Sequence, residues 1–135
     1  MNEPEKIEEI LRTARTIAVV GCSPKPSRPS HSIARFLLES GYEVIPVNPG
    51  HREILGRRCY PSLLEIPAEL AIDVVDVFRN SSAIAPLVGP ALARKVRFFW
   101  MQEGVVDPEA ALELEASGVG VAMDRCILKE HLKYF

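Results

Sequence analysis

Five short apolar runs punctuate the chain: Thr16–Val20, Glu43–Val47, Ile72–Phe78, Val96–Met101 and Val119–Met123. Their apolar residues are mostly consecutive rather than alternate, the pattern of strands buried on both faces. Between them the apolar positions recur at three- and four-residue spacing, which predicts helices. Glu3–Thr13 carries Ile7, Ile10 and Leu11 on one face, and His31–Ser40 carries Ile33, Ala34, Leu37 and Leu38. Ser30 is the expected N-cap of this second helix and Gly41 its stop. Ser82–Arg94 reads as a helix kinked or split by Pro86 and Pro90. Asp107 as cap and Pro108 at the first helical position open a helix to Ser117, and Ile127–Tyr134 reads as the last. Asn48-Pro49-Gly50 reads as a turn, and Ile54–Pro67 as irregular, with at most a short strand or helical turn. Strands that alternate with helices predict a doubly wound, Rossmann-like, mostly parallel sheet of about five strands with helices on both faces. At 135 residues the expectation is a single α/β domain over 1–135.

In such a sheet, ligands bind beyond the C-terminal strand ends. Those ends are Gly21–Ser23, Asn48–Pro49, Phe78–Ser81, Gln102–Gly104 and Asp124–Cys126, and the polar residues cluster there. The first is the most informative. Gly21-Cys22-Ser23-Pro24-Lys25-Pro26-Ser27-Arg28-Pro29-Ser30 joins a strand to a helix start and carries two cations. A helix start offers free N–H donors and partial positive charge to an anion. The prolines stiffen the loop and disfavour helix at Ser23, Lys25 and Arg28.

Charge sharpens this reading. The net charge is −2, which argues against nucleic acid as the main partner. Residues 10–64 nevertheless hold eight Lys/Arg against three acids, and Ile10–Leu38 holds no acid. A small polyanion near the first half fits that asymmetry. No apolar run reaches the ~18 residues of a membrane span, and the acidic start is unlike a signal peptide. The expectation is a cytoplasmic protein with no membrane partner. Cys22, Cys59 and Cys126 form no CxxC pair, which argues against a disulfide framework or a zinc site. A small domain with an exposed sheet edge often dimerises, so a homodimer is an open expectation.

NAD is the usual guess for this fold, and the residues resist it. The GxGxxG turn is absent, and so is the acid that would hold a ribose hydroxyl after the second strand, where the chain reads Val47-Asn48-Pro49. The GxxxxGK[ST] and GxSxG motifs are also absent. The segments VVGCSPKPSRPSHSIARFLLESGYEVIPVNP, ILGRRCYPSL, DVVDVFRN, FFWMQEGV and VAMDRC together resemble the small stand-alone coenzyme A-binding proteins. They are similar too to the N-terminal coenzyme A-binding domain of the succinyl-CoA synthetase α subunit and of NDP-forming acyl-CoA synthetases. The resemblance runs from about Ile17 to Leu128. It implies a bound coenzyme A or acyl-CoA, with Gly21, Cys22, Ser23, Lys25, Arg28, Ser30 and His31 at its phosphates. Val47, Asn48 and Pro49, with His51 and Arg52, would bound the adenosine end. Phe78, Arg79, Asn80 and Ser81 would line the other side, and Trp100, Gln102 and Gly104 would lie near the pantetheine path or shape it. Asp124, Arg125 and Cys126 would close the rim. Cys22 departs from the family pattern, where a small residue such as Ala is usual.

The resemblance implies a binding module without a catalytic set, because those synthetases carry their phosphorylated histidine in a separate domain. Two alternatives stay open. One is an enzyme acting on a thioester or through a nucleotide, with Cys22 or Cys126 reactive. The other is a module for NAD(P) or another adenine nucleotide. Asp73 and Asp76 read as strand-end residues without chemistry, and Asp124 with Arg125 as a structural ion pair.

Overall fold

The computed structural model describes residues 1–135. Its helices are α1 (Pro4–Thr13), α2 (Pro29–Glu39), α3 (Ala85–Ala93), α4 (Pro108–Ala116) and α5 (Ile127–Tyr134). Its strands are β1 (Thr16–Val20), β2 (Glu43–Val47), β3 (Glu53–Ile54), β4 (Arg57–Arg58), β5 (Val74–Val77), β6 (Phe98–Met101) and β7 (Gly120–Ala122). Five of these strands form one parallel sheet in the order β2-β1-β5-β6-β7. The chain leaves β1 toward one side and later returns to its other side, so the order reverses between β1 and β5. This is the Rossmann-like α/β fold expected from the apolar runs.

Side-chain alternation divides the core. Ala18, Val20, Val75, Val77, Phe99 and Met101 face α3 and α4 in one cluster. Ile17, Val19, Val74, Phe98 and Trp100 face α1, α2 and α5 in the other. Burial on both faces explains why the strands are nearly continuous in apolar residues. The sequence overstates their lengths. Ile72, Val96 and Val119 are buried but precede the paired residues, since apolar burial continues into the connecting turns.

Three boundaries differ from expectation. The cap of α2 is Arg28, in extended backbone (φ −88°, ψ 139°), with Pro29 first in the helix. Ser30 therefore lies inside the helix and is buried, so it is not the cap. The Ser82–Arg94 segment splits into a short 3-10 turn at Ser81–Ala83 and α3. Pro86 sits in the first turn of α3, where a missing N–H costs nothing, and only Pro90 falls within the helix. The 54–67 segment holds the β3–β4 hairpin and a 3-10 turn at Leu63–Glu65.

Neither edge of the sheet is bare. Asn2 donates its backbone N–H to the Val121 carbonyl, and its side chain bonds both the carbonyl and the N–H of Met123. At the opposite edge Tyr60 donates to the Pro46 carbonyl and accepts from Asn48 N–H. These contacts pair part of each edge, the feature on which the expectation of a homodimer rested.

Arg94 holds the irregular segment in place. Its guanidinium donates to the carbonyls of Leu63, Ile66, Pro67 and Leu70. Hydrogen bonds from a charged donor are among the stronger ones in proteins, and those to Ile66 and Leu70 serve carbonyls that no backbone N–H reaches. Arg94→Met should lower stability by about 2–4 kcal/mol, read as a reduced urea midpoint.

Candidate functional site

A cleft of about 860 Å³ opens at the C-terminal strand ends, over the reversal between β1 and β5. Gly21, Ser23, Lys25, Arg28, Ser30, Asn48, His51, Phe78, Arg79, Gln102 and Gly104 line it, with Pro24, Pro29, Ile33, Asn80, Glu103, Val105 and Cys126. This is where such sheets leave a crevice, because consecutive connections diverge to opposite faces.

Its back wall is a close approach of two backbones. Gly21 N–H donates to the Val47 carbonyl at 2.9 Å, and Phe78 N–H donates to that of Val20 at 2.8 Å. Gly21 has φ +83°, and a Cβ there would lie 2.7 Å from the Phe78 carbonyl oxygen and 2.9 Å from Arg79 Cδ. Only glycine admits both that dihedral and that contact.

The loop after Gly21 is folded by its own polar groups. Ser23 N–H donates to Ser30 Oγ at 2.9 Å, and Lys25 N–H donates to Ser23 Oγ at 3.1 Å. His31 Nδ1 lies 2.9 Å from the Ser23 carbonyl oxygen. A carbonyl only accepts, so Nδ1 carries the proton. Asn48 Nδ2 donates to the Cys22 carbonyl at 2.9 Å, joining the turns after β1 and β2. Ser30 and Asn48 thus both brace the loop and border the cleft. His31 is buried beneath the loop and is not among the lining residues.

The electrostatics are one-sided. Lys25, Arg28 and Arg79 form no ion pair. The one lining acid, Glu103, is paired with Lys129 at 3.1 Å. The first turn of α2 holds no acid, and no side chain caps it. A second depression of about 480 Å³ lies at the opposite end of the sheet. There Lys6 and Arg97 are balanced by Glu9 and Glu115, so it has no such bias.

Other expected residues fall elsewhere. Val47 and Pro49 border a smaller hollow of about 210 Å³, which shares Arg79 with the main cleft. Trp100 is fully buried, and its Nε1–H donates to the Arg125 carbonyl at 2.9 Å. It shapes the core beneath β6 and does not line the cleft. Ser81 braces the rim by accepting from Val106 N–H at 2.8 Å. Asp124 accepts from Gly104 N–H at 2.7 Å and forms no ion pair with Arg125, whose guanidinium donates to the Asp124 carbonyl. Cys22 is fully buried, and burial pushes its thiol up to about 12. Its sulfur lies behind the cleft wall, and Cys22 is not among the lining residues. Burial also raises Cys59, whereas Cys126 reaches the cleft wall.

Asp76 is the residue that sequence reasoning placed wrongly. It lies within β5, fully buried, and not at a strand end. Gln102 Nε2 donates to its Oδ1 at 2.6 Å, while Oδ2 has no partner. A single acid in the run Val74-Val75-Asp76-Val77 was a visible signal of something beyond packing.

The CoA binding domain model matches residues 15–132. The chain belongs to the CoA-binding domain family. The uncharacterized protein YneT of Bacillus subtilis is 41% identical over 133 residues, covering 97% of each chain. The Archaeoglobus fulgidus acetate–CoA ligase [ADP-forming] I is 44% identical over 69 residues, which is 50% of this chain and 10% of that one. This CoA-binding domain is thus homologous to the N-terminal CoA-binding part of NDP-forming ligases. A structure of a hypothetical protein from Pyrococcus horikoshii OT3 superimposes with a TM-score of 0.92 at 39% identity, covering 98% of this chain and 92% of that one.

Burial raises the Asp76 pKa to about 8, against a smaller lowering by the Gln102 hydrogen bond. The folded carboxyl then keeps a proton that the unfolded one releases near 3.8. Its contribution to stability is full below about pH 4 and lost as pH rises through about 8. Asp76→Asn should remove that fall. The difference in unfolding free energy between wild type and variant, measured across pH 4–9, should shift against the wild type as pH rises.

Proposed function

We propose that this chain binds coenzyme A or an acyl-CoA in the cleft at the β1–β5 reversal, as a binding module. What carries the reading is the convergence of three unpaired cations, Lys25, Arg28 and Arg79, on an uncapped helix start in one cleft. Coenzyme A brings about four negative charges at neutral pH, and the cleft offers a matching set of donors. Its phosphates lie along the turn from Gly21 to Ser30, facing Arg79 across the cleft. His51, after β2, stands where the adenosine end would lie, and no acid on that turn repels a 3′-phosphate. Membership of the CoA-binding domain family supports the choice of coenzyme A over other polyanions. The absent GxGxxG turn weighs against NAD.

The reading stops at binding. The chain spans about a tenth of the Archaeoglobus ligase, and the cleft lining brings no acid–base pair together. Cys126 is the one thiol that a bound thioester could approach.

Calorimetric titration of coenzyme A tests this. Removing one charge-assisted contact costs on the order of 1.5–3 kcal/mol. Arg28→Ala and Arg79→Ala should each weaken binding by roughly tenfold or more, and salt should weaken the wild type. Dephospho-CoA should bind less tightly, and NAD and ATP more weakly still. Equal affinity in both arginine variants would remove the phosphate assignment, and preferential binding of NAD or ATP would overturn the ligand.

A further inference from the structure

A carboxyl group in the middle of an apolar parallel strand has a cost that the fold does not need to bear. Asp76 is flanked by Val74, Val75 and Val77, and its register partner on β6 is Trp100. A valine or leucine at residue 76 would fill the space without desolvating a polar group. Asp76 makes one side-chain contact with a polar group, the 2.6 Å hydrogen bond from Gln102. Any influence it has on the surface therefore passes through Gln102, which lines the cleft.

Gln102 is set up to be held. It follows β6 directly, its backbone N–H reaches the Val77 carbonyl, and its side chain shares a sheet face with Asp76 and Trp100. With Nε2 given to Asp76 Oδ1, and any carboxyl proton on the unpartnered Oδ2, its Oε1 points away from the carboxyl. Asp76 Oδ2 is the only buried side-chain oxygen or nitrogen without a partner. Gln102 Oε1 accepts no hydrogen bond within the protein, so it reaches the cleft surface. Ser23 Oγ, Ser30 Oγ and Asn48 Oδ1 each accept from backbone N–H within the turns, and the Asn80 amide lies on the exposed rim rather than on the floor.

We propose that Asp76 is a positioning residue that fixes the Gln102 amide with Oε1 toward the cleft, where it accepts from an N–H group of the bound ligand. This deepens the coenzyme A reading and rests on it for the ligand. The cations recognise the anionic end, and Gln102 reads a neutral donor elsewhere on the same molecule. Coenzyme A has two kinds of such donor, the pantetheine amides and the adenine amino group.

The lock is tested first without ligand. In the free wild-type protein, one side-chain amide proton of Gln102 should exchange slowly by NMR, and Asp76→Leu should abolish that protection. Identical exchange in the two proteins overturns the lock. Binding is then read with coenzyme A by calorimetry on variants whose thermal unfolding shows them folded. Gln102→Met should weaken binding by about 5–30-fold. Asp76→Leu should weaken it several-fold, and Asp76→Asn, which keeps an oxygen facing Gln102, should restore it. Asp76→Val replaces Asp76→Leu if leucine overfills the core. In the Gln102→Met background Asp76→Leu should add nothing, because the positioning acts through the lost amide. Additive losses, or wild-type affinity in Gln102→Met, overturn the proposal. The donor is separated with two fragments. A loss confined to 4′-phosphopantetheine assigns the pantetheine amides, and a loss confined to adenosine 3′,5′-bisphosphate assigns the adenine. If wild type binds no coenzyme A, the functional reading and the ligand half of this proposal both fall, and the exchange result alone decides the lock.

Discussion

Gly21 stands so near the turn after β5 that even a methyl group would meet the Phe78 carbonyl oxygen at 2.7 Å. That approach sets the geometry of the cleft. It lets the turns after β1 and β5 converge where the sheet order reverses, and it lets the Arg79 side chain pass over residue 21. The cationic loop is then laid across the opening by hydrogen bonds to Ser30 and from His31 and Asn48. The strands supply a rigid platform, and the glycine allows two of their ends to share one wall.

The cleft joins two kinds of polar group with different energetics. Lys25, Arg28 and Arg79 lie in solvent, unpaired, and contribute little to the fold. They are available to an anion at little structural cost. Asp76 is the reverse: fully buried, half satisfied and held above the usual carboxylate range by burial. A stable core would do better without it. Both observations point toward the cleft, one from its open face and one from beneath its floor.

Much of this was legible in the chain. The consecutive apolar residues of Thr16–Val20 and its four counterparts fixed the sheet class, and the polar residues at their C-terminal ends marked the cleft. Gly21, Lys25, Arg28, Asn48, Arg79 and Gln102 do come together there. What stayed hidden depends on side-chain direction and on contacts distant in sequence. Trp100 is expected near the pantetheine path or shaping it, yet it lies within β6, two residues before Gln102 on the same sheet face, deep enough to be core. Ser30 has the chemistry of a cap, but the proline before it starts the helix two residues earlier than expected. Asp76 was passed over because its distance from the strand end depends on where β5 stops. The hold of Arg94 on four carbonyls more than twenty residues away has no local signature at all.

The most direct test of the central claim is a crystal structure with coenzyme A soaked or co-crystallised. The account predicts the pyrophosphate against the turn from Gly21 to Ser30, with Arg28 and Arg79 in contact with phosphate oxygens. Coenzyme A bound instead in the charge-balanced depression beside Lys6 and Arg97, with the cleft over Gly21 empty, would contradict it.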